Sequence, residues 1–186
     1  LYNTIEVHEI DSGLKIEVEG LDKKEVSLDE SNLIYQSMSR IFKETGYTPK
    51  GIWIKQNNNI PTSRGLGSSA ACIVGGLLAG NELCGKVLSG DEILKLAVDI
   101  EGHPDNVAPA LLGGFVVSVS NNGRLSYIKT PLKKGLRFLV GIPSKGLSTQ
   151  KSRGALPNNI LHKDAVYNVG NTALLVAALM SGEYGR

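Results

Sequence analysis

The chain has 186 residues, 41% of them hydrophobic and 20% charged, with 20 basic against 18 acidic side chains and a net charge of +2. This composition excludes disorder as the main state and gives no reason to expect nucleic-acid or anionic-membrane binding. The longest small and apolar run, Ala70 to Gly80, is too short and glycine-rich to span a bilayer.

Tyr2 to Glu9 alternates apolar and polar residues, and Leu14 to Glu19 does so again. Asp11-Ser12-Gly13 between them is turn chemistry, so the stretch predicts a β-hairpin with one buried face. Asn32 to Glu44 predicts an amphipathic helix, with Leu33, Ile34, Met38, Ile41 and Phe42 on one side and Gly46 and Pro49 closing it. Gly51 to Gln56 reads as a short strand and Asn57 to Gly67 as a polar loop. A helix is expected from about Ser68 to Leu83, and another over Asp91 to Ile100. Glu101 to Pro109 reads as a loop outside regular structure. Gly114 to Ser120 predicts a buried strand, Asn122-Gly123 a tight turn and Arg124 to Lys129 its partner. Leu136 to Pro143 is another strand-like run, Ser144 to Asn159 a basic loop, and Asp164 to Ser181 a long helix of small residues. Cys72 and Cys84 form neither a disulfide framework nor a zinc pattern, so a reducing cytoplasm is the expected compartment. The elements alternate without strict βαβ regularity, which implies an α+β or mixed α/β architecture.

Three stretches carry chemistry. The first is Pro61-Thr62-Ser63-Arg64-Gly65-Leu66-Gly67-Ser68-Ser69-Ala70-Ala71. Its glycines permit a tight turn and close approach of a ligand to the backbone. The helix that follows offers free N–H groups and a partial positive charge, which suit phosphate. Arg64 adds a cation, and Ser68 either caps the helix or offers its hydroxyl to a ligand. The plainer alternative is a glycine loop that merely opens a buried helix. No lysine follows the glycines, so this is not a P-loop. Gly65 to Ala70 fits the loose dinucleotide form G-x-G-x-x-A, but the glycines do not follow a strand directly and the expected acidic residue is missing.

The second stretch is Glu101-Gly102-His103-Pro104-Asp105-Asn106-Val107-Ala108-Pro109. A phosphate enzyme needs Mg²⁺, and Mg²⁺ needs hard oxygen ligands, which Glu101 or Asp105 can supply. A helix end followed by an ordinary Asp/Asn turn is the alternative. In the third stretch, Ser148 to Arg153, Arg153 is suited to fork onto a substrate carboxylate, and a solvated basic loop fits equally well.

Pro61 to Ala71 closely resembles the phosphate-binding motif P-x-x-x-G-L-G-S-S-A-A of the GHMP small-molecule kinases. Glu101 to Gly114 is similar to the homoserine kinases within that family, as is Ser148 to Pro157, read as S-T-x-x-x-R-x-x-L-P. The resemblance extends over essentially the whole chain. It implies ATP-dependent phosphorylation of the hydroxyl of L-homoserine, on the route to threonine. By the same resemblance Pro61, Thr62, Ser63, Arg64, Gly65, Leu66, Gly67, Ser68, Ser69, Ala70 and Ala71 wrap the ATP phosphates, and Asn32 lies where the family approaches adenine. Ser68 and Glu101 match positions that hold Mg²⁺; Asp105, Asn106 and His103 match the loop near substrate and γ-phosphate; Arg153, with Thr149 beside it, matches a substrate-carboxylate contact. Catalysis would then rest mostly on positioning and charge stabilisation.

The implied architecture is α+β and two-lobed, with a nearly complete N-terminal ATP-binding lobe over residues 1–131 and a truncated, ferredoxin-like C-terminal lobe over 132–186. The family's opening motif P-A-T-S-A-N-L-G-P-G-F-D and its late glycine-rich motif are absent. The expectation is therefore an interior piece of a longer chain, inactive as a kinase on its own. Its partner is a small-molecule substrate rather than nucleic acid or membrane; family members are often dimers, which leaves a homodimer open, and the sequence itself shows no interface. Two alternatives stand beside this reading: a GHMP kinase acting on another small alcohol, and a non-catalytic nucleotide-binding protein.

Overall fold

The structure is a computed structural model and describes residues 1–121, 123–132, 135–143, 146, 152 and 154–185. Its first sheet holds β1 (Thr4–Glu9), β2 (Gly13–Gly20) and β3 (Gly51–Asn58) in the spatial order β1-β3-β2. Both predicted strands form, but they do not pair as a hairpin. β3 inserts between them, antiparallel to β1 with Val7 opposite Ile54, and parallel to β2 with Ile16 also opposite Ile54. The reason is burial. Ile52 and Ile54 of β3 carry the most buried apolar side chains of the sheet, so β3 takes the centre and β1 and β2 flank it. Gly51 makes the insertion possible: a Cβ there would lie 2.4 Å from the carbonyl carbon of Ser12.

A parallel pair needs a crossover, and α1 (Leu33–Thr45) provides it between β2 and β3. Asn32 caps α1, its Oδ1 accepting from the N–H groups of Ile34 and Tyr35, and Gly46 closes it with a left-handed φ of 70°. The predicted apolar stripe is buried: Met38 and Ile41 have 0% exposure, and burial contributes about 1.5–3 kcal/mol for each such side chain. One side of α1 meets the sheet, where Ile34, Met38 and Phe42 pack with Ile16, Ile52 and Ile54. From the other side Ile41 joins α2 (Ser68–Leu83) and α3 (Gly90–Glu101), packing with Ile73, Leu77, Ile93 and Leu94. Helix α3 opens on a reciprocal capping box between Ser89 and Glu92.

The expected loop at 101–109 is instead the end of one helix and most of another. Glu101 ends α3, Gly102 caps it with φ 85°, His103 is the next N-cap, and α4 runs Pro104–Leu112. Pro104 occupies the first helical position, where its missing N–H costs nothing. Beyond α4, β4 (Phe115–Asn121) and β5 (Arg124–Thr130) pair antiparallel as a separate two-stranded sheet. The expected burial of β4 is not met: Val116 packs on the core while Val117 and Val119 are exposed. The strand-like run 136–143 forms no strand, and Phe138, Leu139, Val140 and Ile142 are exposed. Helix α5 (His162–Ser181) forms, but among its described residues none is buried. No helix of the described residues is long and apolar enough to cross a membrane.

Candidate active site

Helix α2 starts one residue after a glycine held at φ 76°. That conformation favours Gly67, and a glycine N-cap has no side chain to occupy the first N–H groups of the helix. The amides of Ser68, Ser69 and Ala70 therefore lack intrahelical acceptors and face the loop with the positive end of the helix dipole.

Two adjacent serines point in different directions, as a helical step of about 100° requires. Ser68 is buried, and its hydroxyl donates to the Ile60 carbonyl at 3.2 Å. Ser69 is exposed, and its hydroxyl donates to Glu101 Oε2 at 3.0 Å. Ser68, expected beside Glu101 at the metal, thus turns its hydroxyl to Ile60 here. Ser69, assigned only to the phosphate loop by sequence, is the serine that meets the carboxylate. Helical phase gave no such signal, since the inward residues Ala70, Ile73, Val74 and Leu77 line up better with Ser69 than with Ser68.

Helix α4 brings the rest. Asp105 Oδ1 lies 2.6 Å from His103 Nδ1 and accepts from Asn106 Nδ2 at 3.0 Å. Asn106 Oδ1 would be 3.7 Å from a Cβ at Gly67, so this helix start faces the glycine loop directly. Glu101, Asn106 and the α2 N-terminus therefore converge on one spot. Arg153 and Thr149 lie outside the described residues.

The loop itself is braced from three sides. Thr62 donates its backbone N–H to Asp22 Oδ2 at 2.8 Å, and its hydroxyl lies 3.0 Å from that oxygen and 2.6 Å from Glu25 Oε2. Arg64 turns its guanidinium onto carbonyls, that of Thr62 and that of Pro143, both at 2.9 Å. Asn3 Oδ1 accepts from the N–H groups of Asn59 and Ile60. The backbone N–H of Thr62, with its hydroxyl, holds the Asp22 carboxyl below its ordinary value of 3.8. A depressed carboxyl stabilises the fold fully above its unfolded value and loses that contribution as pH falls through the lower folded value. Asp22→Asn should accordingly reduce stability near neutral pH and flatten the dependence below about pH 4, as read by melts across pH. Equal melting curves for both proteins at pH 7 would show that the brace does not act.

Two clefts flank the loop. One of about 670 Å³ is lined by Asn3, Leu66, Gly67, Gly75 and Asn106. The other, of about 260 Å³, is lined by Asn32, Gln56, Thr62, Ser63 and Ser68. Asn32 shapes this wall while its own polar atoms serve the α1 cap and the Ser27 carbonyl. Cys72 also lines it, and burial pushes its thiol up. Ser69 and Glu101 offer hard oxygens at the α2 terminus, which fits a Mg²⁺ that takes its other ligands from phosphate and water. Among the described residues no three His, Cys, Asp or Glu side chains cluster.

Residues 32–114 match the family model of the GHMP kinases N terminal domain. A homoserine kinase of Clostridium botulinum (strain 657 / Type Ba4) is 48% identical over 184 residues, covering 99% of this chain and 61% of that protein. Residues 32–114 are a GHMP kinase N-terminal domain. A homoserine kinase of Caldicellulosiruptor saccharolyticus is also 48% identical, with 99% of this chain and 59% of that protein covered. The crystal structure of homoserine kinase from Cytophaga hutchinsonii superposes with a TM-score of 0.80 at 30% identity, over 97% of this chain and 59% of that one. The chain thus spans about 60% of the length of the relatives it matches.

Proposed function

We propose that this chain carries the nucleotide-binding part of a homoserine kinase, which transfers the γ-phosphoryl group of ATP to the hydroxyl of L-homoserine. The observation that carries the reading is the convergence of Glu101, Asn106 and the Gly67-capped start of α2. The relatives' names supply the acceptor. In this reading residues 1–131 form the ATP-binding domain and 132–186 begin the next. ATP lies with its base in the 260 Å³ cleft and its phosphates over residues 61–71, while the acceptor approaches from the Asn106 side.

Ser69 and Glu101 hold Mg²⁺, which when bound draws negative charge off the phosphates. The first-turn N–H groups of α2 receive phosphate oxygens, and Asn106 orients the reacting group. His103 fixes the Asp105 carboxylate, and Arg153 and Thr149 are assigned the substrate carboxylate.

ADP release with Mg-ATP and homoserine, against mevalonate and shikimate, tests the assignment in protein from the complete reading frame. Release with another alcohol alone would keep the kinase and change its substrate. No release with any acceptor, in folded protein, would favour a non-catalytic nucleotide-binding role.

Asp105 Oδ1 is shared between His103 and Asn106, which suits an orienting group rather than a free base. Asp105→Asn should therefore lower turnover by less than about tenfold, whereas a general base would cost about 10²–10⁴. Steady-state turnover of that variant separates the two roles.

A further inference from the structure

Arg64 lies in the glycine loop, where a cation suits phosphate, but its guanidinium bonds to protein carbonyls. Nη1 donates to the Thr62 carbonyl and Nε to the Pro143 carbonyl, each at 2.9 Å. The first bond stays within the loop, whereas Pro143 is 79 residues further along the chain. The Arg64 charge also acts on the Asp22 carboxylate, which braces Thr62. Gly146 comes close to the same group. A Cβ added there would overlap Arg64 Nη1 and lie 3.1 Å from Ser63 Cβ. Pro143 and Gly146 therefore both lie against the glycine loop. In sequence they lead directly into Ser148–Arg153, the stretch assigned to the acceptor.

A planar guanidinium that donates to two carbonyls fixes the spacing of the segments that carry them. Bonds from a charged donor are roughly twice as strong as neutral ones, so such a bridge resists being pulled apart. We infer that Arg64 is a positioning residue for the acceptor: it ties the phosphate loop to the segment that leads into Ser148–Arg153, and so sets where the homoserine carboxylate is held relative to the γ-phosphate. The inference rests on the homoserine kinase reading above. It gives Arg64 a task on the acceptor side in place of a direct contact with phosphate.

Two variants of the protein from the complete reading frame test it. Arg64→Met removes the guanidinium and keeps an apolar stem. Gly146→Ala keeps the charge and pushes the guanidinium aside. The fold accommodates that alanine, because the atom it overlaps is the end of a flexible side chain and Gly146 has no left-handed φ. Each variant should raise KM for homoserine about tenfold or more, while equilibrium binding of the β,γ-imido analogue of ATP changes by less than about threefold. Both lesions break the same tie, so the double variant should be no worse than the worse single one. Arg64→Lys should recover only part of the homoserine KM, since an ammonium keeps the charge but lacks the fork. A phosphate-binding arginine gives the opposite pattern, with analogue binding weakened in Arg64→Met and homoserine KM hardly moved, and that result would overturn the inference. So would an equal loss of both ligands, which marks a general brace of the loop, or an unchanged homoserine KM in either variant. Should Arg64→Met fail to fold, Gly146→Ala decides alone. Wild-type protein that binds the ATP analogue but releases no ADP with homoserine would instead sink the acceptor reading, and this inference with it.

Discussion

On the proposed function, Glu101→Gln in protein from the complete reading frame is expected to lower homoserine-dependent ADP release at least about a hundredfold while leaving the melting temperature nearly unchanged. The carboxylate of Glu101 reaches across from the end of α3 to the start of α2, where Ser69 Oγ donates to it at 3.0 Å. An amide of the same shape can still accept that bond, so the local structure survives. What it removes is the negative charge that a divalent cation requires. A hundredfold loss corresponds to about 2.7 kcal/mol of transition-state stabilisation, within the several kcal/mol that metal-assisted charge neutralisation supplies. Ser69→Ala should act in the same direction but more weakly, because a neutral ligand is lost rather than a charged one. Turnover of Glu101→Gln within threefold of wild type would remove Glu101 from the metal site.

Gly76→Val should cost about 3 kcal/mol or more of stability and lower the melting temperature by about 6–12 °C for a chain of this size. Helices α1 and α2 touch closely at this point. A Cβ on Gly76 would lie 2.6 Å from the Ile34 carbonyl oxygen and 2.8 Å from Ser37 Cβ. The nearest atom belongs to a backbone, so α1 must move, and α1 is anchored on its other side by Ile34, Met38 and Phe42 against the sheet. Helix propensity works the other way and does not decide the sign, since Gly is only about 1 kcal/mol worse than Ala in a helix interior. Gly90→Ala is the control, because nothing lies within 4 Å of the Cβ it would add at the start of α3. It should be neutral or stabilising by up to about 1 kcal/mol. Thermal melts of the two variants beside wild type check both statements.

What the sequence discloses follows the range of the interactions involved. Local signals were read well. Asn32 and Gly46 bracket α1, the residues from Leu33 to Phe42 keep its period, and Gly67 stands at the turn into α2. The identity of a strand's partner is not a local property, and so β1 and β2 read as a hairpin although β3 separates them. Prolines misled at 101–109. Pro104 and Pro109 look like breakers, yet one sits at the first helical position and the other lies inside a nine-residue helix. The site was legible as a set of stretches, because glycine, serine and carboxylate residues cluster in sequence as well as in space. Its finer geometry was not, because the choice between Ser68 and Ser69 turns on a single helical step.

The insertion of β3 between β1 and β2 also governs how the chain is made. A nascent chain that has emerged through Gly20 carries two strands that do not pair with each other, and their common partner ends at Asn58. The interval is 38 residues, from 20 to 58. At an elongation rate of about 5–20 residues per second it lasts about 2–8 s. Through that window the edges of β1 and β2 that β3 comes to cover stay unpaired and invite association with other chains. Ribosome pausing beyond Asn58 would let the sheet close before α2 arrives, and pausing before it would prolong exposure. Synonymous codon changes on either side of that position should therefore alter the soluble yield of an otherwise identical protein.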